Sequence, residues 1–175
     1  YVVSGYVART VVESGASVIG STQNAPARYY ARPDADHLEF DPARTSLAGN
    51  MYEIALQRSG DFHWSLDYKQ SDPGFEINDL GFHGRADYRA FTTLIGRRYN
   101  EPRGIFRDKG VFAYTYHAWN TGGDIILNGG AVGGDLSFTN FWSTGGRIGY
   151  RPSVYDDRLT RGGPIGREPA YHEAS

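Results

Sequence analysis

Met51-Tyr-Glu-Ile-Ala-Leu-Gln-Arg58, then Ser59-Gly-Asp61, then Phe62-His-Trp-Ser-Leu-Asp-Tyr-Lys69 is the stretch on which the fold turns. In the first run Tyr52, Ile54 and Leu56 alternate with Glu53, Ala55 and Gln57. In the second, Phe62, Trp64, Leu66 and Tyr68 alternate with His63, Ser65, Asp67 and Lys69. A period of two puts successive side chains on opposite faces of a strand, and the short link containing Gly60 suits a hairpin turn. The hairpin therefore has one apolar and one polar face. The apolar face packs on a soluble core or meets lipid in a barrel.

Working outward, strands are expected at Tyr1–Ala8, Ser17–Thr22, Ala86–Arg98, Gly110–Asn120, Asp124–Asn128, Asp135–Trp142 and Gly146–Arg151. Asn120-Thr-Gly-Gly, Asn128-Gly-Gly and Thr144-Gly-Gly supply glycines for tight turns between them. Within Ala86–Ile95, Tyr88, Phe91, Thr92 and Ile95 also fit helical spacing, with Asp87 as N-cap and Gly96 as stop. The flanking hairpins favour strand. Residues 24–48 carry three prolines and weak alternation, which predicts a long loop with one short strand near Leu38–Phe40. Residues 161–175 are rich in Gly and Pro and are expected to be a tail without a closing strand. The whole is an all-β antiparallel meander of roughly eight or nine strands, one segment spanning residues 1–175.

Composition agrees with that class. Of 175 residues 23 are Gly, close to twice the usual ~7%, and 14% are aromatic. The net charge of −2 comes without a basic block, which argues against a nucleic-acid partner. Cysteine is absent, which removes disulfides, thiolate metal sites and cysteine nucleophiles. Among the 18 cations only Lys69 and Lys109 are lysine. That arginine excess suits planar ion-pair networks in confined polar spaces, although a GC-rich genome gives the same bias. No apolar run approaches the ~18 residues of a spanning helix, which leaves spanning strands open.

Motifs for chemistry fail one after another. An EF-hand counted from Asp34 meets Leu38 at its fifth position, Glu39 at its sixth and Thr45 at its twelfth. His37-Leu-Glu39 lacks the cysteines of a zinc deaminase. Gly129 and Gly134 have phosphate-loop spacing, but Asp135 stands where lysine is required. Asp156 and Asp157 are adjacent, so they share a site only from a loop. No catalytic, metal or cofactor constellation is expected.

Two stretches carry a resemblance: Asp72-Pro-Gly-Phe-Glu-Ile-Asn-Asp-Leu-Gly-Phe-His-Gly-Arg-Ala-Asp87 and Tyr155-Asp-Asp-Arg-Leu-Thr-Arg-Gly-Gly-Pro164. With the opening Tyr1-Val-Val-Ser-Gly-Tyr-Val-Ala-Arg9 they resemble a bacterial family of outer-membrane β-barrels of unknown function. In that family a carbohydrate-binding family-nine-like sandwich precedes the barrel. The resemblance implies that this chain is an internal piece of a larger transmembrane barrel in the outer membrane. Its apolar faces would meet the lipid bilayer and its polar faces a lumen. Trp119 and Trp142 would join an interfacial girdle. Asp157, Arg158 and Arg161 would be lumen or loop polar residues, with Arg158 and Arg161 able to pair with Asp156 or Asp157.

The expected role is non-catalytic: passage or surface binding of a polar solute, with a saccharide as one candidate. The alternative is a soluble β-barrel or sandwich that binds a small ligand in an aromatic-lined cavity. A glycan hydrolase with carboxylates meeting across strands is a third reading, without a motif to support it.

Overall fold

A computed structural model describes residues 1–77 and 84–175. Residues 78–83, which include the Asn-Asp-Leu-Gly-Phe part of the first signature and His83, lie outside the described residues. The elements are β1 (Val2–Glu13), α1 (Ala16–Gln23), β2 (Ser46–Arg58), β3 (Phe62–Ser71), β4 (Tyr88–Tyr99), β5 (Phe106–Trp119), β6 (Ile125–Phe138), β7 (Ser143–Arg151), β8 (Val154–Asp156), β9 (Gly166–Glu168) and β10 (Tyr171–Ala174). Eight strands form one sheet in the order β1-β2-β3-β4-β5-β6-β7-β10, and β8-β9 form a separate ribbon. Every pairing is antiparallel. The chain is thus an all-β antiparallel meander. Among the described residues β1 and β10 are its edges, and the sheet is open.

The Met51–Lys69 hairpin forms as its alternation predicts, with Ile54 opposite Tyr68 and Leu56 opposite Leu66. Ala86–Arg98 is a strand from Tyr88 onward, so the sheet overrides its helical spacing. Several expectations need correction. Ser17–Thr22 is helix, not strand: the Ser21 and Thr22 hydroxyls bond the carbonyls of Ser17 and Val18, each at 3.0 Å, and Ile19 is fully buried. Asp124–Asn128 and Asp135–Trp142 are largely one strand, β6, so Asn128-Gly-Gly is strand interior. Thr144-Gly-Gly likewise lies within β7, and the turn before it is Thr139–Trp142. The tail is not strandless, because β9 pairs with β8 and β10 pairs with β7.

The loop expected over residues 24–48 ends at Thr45, because Ser46–Ala48 open β2, and Leu38–Phe40 within it is not a strand. Leu38 and Val12 pack on a cluster of Ile19, Tyr30 and Leu47, which seats α1 and this loop on one end of the sheet. Burial pushes the Tyr30 hydroxyl above its ordinary value near 10. A folded-state value raised in this way gives stability that is complete below about pH 10 and is lost as pH rises further. The thermal midpoint of the wild type should therefore fall above that pH, and Tyr30→Phe should remove part of the fall.

One close approach locks the 72–75 turn to β2. A Cβ on Gly49 would stand 2.2 Å from the Phe75 backbone nitrogen, and a Cβ on Gly74 the same distance from the Ala48 carbonyl oxygen. Neither backbone can yield without separating β2 from the 72–75 turn. Gly74→Ala should cost about 1–3 kcal/mol or more by overpacking, read as a lower urea midpoint at unchanged m-value.

Candidate functional site

Register carries the two faces of the central hairpin across the whole sheet. Along one row Trp64, Ile95, Ala113, Val132, Ile148 and Ala174 stand opposite one another in turn. Val3 and Leu56 continue the same face toward β1. This face is exposed: Val3 by 69%, Ile95 by 50%, Val132 by 61% and Ile148 by 68%. The hydroxyls of Thr93 and Thr115, neighbours on this face, bond each other at 2.8 Å, so these polar atoms do not depend on water. Polar side chains flank the band, with Arg58, Arg97 and Lys109 toward one end and Arg9, Gln70 and Arg89 toward the other.

The opposite face is polar and tied together by its own charges. Glu53 accepts from the Tyr6 hydroxyl at 3.0 Å and lies 3.4 Å from the Lys69 ammonium. Arg98 approaches Asp135 at 3.9 Å, and Glu173 lies 3.9 Å from Arg147 and 3.5 Å from Arg151. Exposed pairs of this kind contribute little to stability, about 0–1 kcal/mol each. They do offer donors and acceptors along the strand face.

The two ends of the sheet differ. At one end the connections are short, at 59–61, 100–105 and 139–142, and aromatic rings gather with cations over them. Arg58 lies over Tyr1 and Phe62 at 5.8 and 5.4 Å, Arg97 over Tyr99 at 5.0 Å, and Arg107 over Phe141 at 5.5 Å. Exposed Trp142 is here, whereas Trp119 ends β5 at the far end. At that far end the 120–124 turn is short and the other three connections are long, and among the described residues 14–45, 72–77, 84–87 and 152–170 build the cap.

Within the cap an arginine–carboxylate cluster joins three connections. Asp157, only 4% exposed, accepts from Arg85 at 2.6 Å, and its carboxylate lies 3.3 Å from Arg32. Its backbone carbonyl also accepts from Arg32, at 3.0 Å. Arg28 pairs with Glu76 at 2.8 Å and donates to the Phe75 carbonyl. Arg158 does not pair with Asp156 or Asp157; it donates to the carbonyls of Pro26 and Gly84 at 2.5 and 2.8 Å. Burial, then the adjacent Arg85 charge, lowers the pKa of its guanidinium. The Asp156 carboxylate instead accepts the backbone N–H groups of Arg158 and Leu159. Arg161 is exposed, with a φ of 54° in a turn whose N–H bonds the Arg158 carbonyl.

The expected trio is therefore divided: Asp157 and Arg158 belong to the buried joint, and Arg161 lies outside it. The cavity among these groups measures about 10 Å³, room for one water and for no solute. A second latch was not legible in sequence. Asp87, buried with φ 57°, bonds His37 at 2.9 Å and takes both the N–H and the hydroxyl of Thr121. Among the described residues no cluster of His, Asp or Glu could hold a metal, and no helix is long and apolar enough to cross a membrane, which says nothing of strands.

The geometry defines a class: an antiparallel sheet with an exposed apolar face, a charged face opposite, and a cap of loops at one end. Residues 15–162 match the model of a family described as a domain of unknown function (DUF5916), and the chain belongs to that family. No curated protein and no solved structure matches the chain.

Proposed function

We propose that this chain is a wall segment of a bacterial outer-membrane β-barrel, non-catalytic, that lets a polar solute pass or binds it at the surface. The exposed apolar face carries this reading. A water-soluble chain rarely leaves so continuous an apolar surface uncovered, and hydrocarbon is the solvent that suits it. Strands of nine to fourteen residues in β1 to β7 reach the ~9–11 a tilted spanning strand needs. Short turns at one end, and three long connections beside one short turn at the other, with cation–aromatic contacts at both, suit the loop asymmetry and the paired girdles of such barrels. The open edges of the sheet fit a barrel completed by further strands, as the resemblance to larger barrels implies.

On the inner side, arginine, aspartate, glutamate and tyrosine would offer exchangeable hydrogen bonds to a hydrated solute. The favoured class is a saccharide, from the resemblance to barrels that follow a carbohydrate-binding family-nine-like sandwich. The partners are then the lipid bilayer and a sugar, with no nucleic acid and no cofactor. Detergent partitioning tests the reading. The expressed chain should remain in the detergent phase and sediment with outer membranes. A soluble monomer with a cooperative thermal transition in plain buffer would contradict it and favour a soluble ligand-binding β protein.

A further inference from the structure

On the polar face of β5 three rings follow one another at every second residue: Phe112, Tyr114 and Tyr116. Their centroids are 6.3 and 6.2 Å apart and their planes differ by 10° and 25°. The neighbouring strand explains the pose. Built on Gly133, a Cβ would stand 2.6 Å from the tip of the Phe112 ring. Built on Gly129, it would stand 2.5 Å from the Tyr116 hydroxyl. The rings therefore lie across bare backbone of β6, tiled along the sheet and half-buried.

Rings that lie flat show one π face to the sheet and the other outward. The next strands frame this surface with donors and an acceptor. Arg147 reaches the Tyr114 hydroxyl at 3.4 Å, Arg151 lies 5.3 Å over Tyr116, and Glu173 stands between the two arginines. Apolar C–H faces of a pyranose pack on the negative face of an aromatic ring, while its hydroxyls need donors and acceptors at the margin. A strip of near-parallel rings spaced about one sugar unit apart meets both needs for successive units of a chain. Glu173, paired with both arginines, offsets part of their charge, so the frame is only weakly cationic.

The Arg151 guanidinium already covers the outward face of Tyr116, so we infer that Phe112 and Tyr114, framed by Arg147, Arg151 and Glu173, form a binding strip for a neutral pyranose oligosaccharide. This rests on the reading of that face as the solute side, and it names the side chains that hold the solute.

The test uses the full chain in detergent micelles, with maltohexaose, cellohexaose and chitohexaose as probes, followed by saturation-transfer NMR and calorimetric titration. At least one probe should receive saturation on its ring C–H protons. Tyr114→Leu keeps bulk over the strand but removes the π face, and should weaken that probe roughly three- to tenfold. Ile54→Ala, on the other face of the sheet, should leave affinity unchanged. No binding by any probe overturns the inference, and so does equal binding by wild type and Tyr114→Leu. The two readings fail separately. A chain held in micelles that binds no sugar loses the strip alone, whereas a water-soluble chain with a Tyr114-dependent sugar site loses the membrane.

Discussion

Asp157→Ala is expected to lower the unfolding free energy of the cap by about 3–5 kcal/mol, the usual cost of removing one partner from a buried ion pair. Asp157 is the sole carboxylate paired with Arg85 among the described ion pairs, and it also faces Arg32, whose side chain is 2% exposed. Removing it strips Arg85 of its carboxylate beside the Arg32 guanidinium, which keeps only Asp34 at 3.7 Å and the backbone carbonyl of residue 157. The contrast is Asp156→Ala, which releases two backbone N–H groups near the surface and should cost about 1–2 kcal/mol. Urea titration at constant m-value reads both, and hydrogen exchange should show the cap opening before the sheet in Asp157→Ala. A double-mutant cycle with Arg85→Leu should recover part of the loss, because the stranded charge leaves with its partner.

The second large effect is environmental. Val132 lies mid-strand in β6 on the apolar face and is 61% exposed. In water, Val132→Arg at so open a position should change stability by no more than about 0.5 kcal/mol. Facing hydrocarbon near the bilayer centre, the same substitution should cost about 2–4 kcal/mol, because the guanidinium must be desolvated or reach the interface. Folding into vesicles should therefore be strongly impaired. Arg97 and Lys109, on the same face but nearer its end, show where charge is tolerated.

How much of this was legible follows from the reach of each signal. Alternation from Tyr52 to Tyr68 is local, so the central hairpin and its two faces could be read directly, and register then spread those faces over eight strands. Glycine misled where its reason was tertiary. Gly129 resembles a turn residue in sequence, but it is bare because the Tyr116 ring of β5 lies over it. Val18 and Ile19 suggested a strand by β-propensity, and burial of Ile19 against Tyr30 and Leu47 selected a helix instead.

The buried joint was the least legible feature. Arg32, Arg85 and Asp157 come from three separate connections, so no spacing links them; the arginine excess was the one hint. The Asp87 latch had a different cause. In sequence Asp87 looks like a helix cap, and its real partners, His37 and Thr121, are separated from it by 50 and 34 positions.

The central claim is that the apolar face meets hydrocarbon, and Trp64 reports on it without an added probe. It lies on that face opposite Ile95, near Tyr1 at a ring distance of 6.0 Å. With Trp119→Phe and Trp142→Phe, the chain reconstituted in vesicles should show blue-shifted Trp64 emission, quenched by lipids brominated on their acyl chains. Emission indifferent to those lipids and quenched by aqueous iodide would contradict the account.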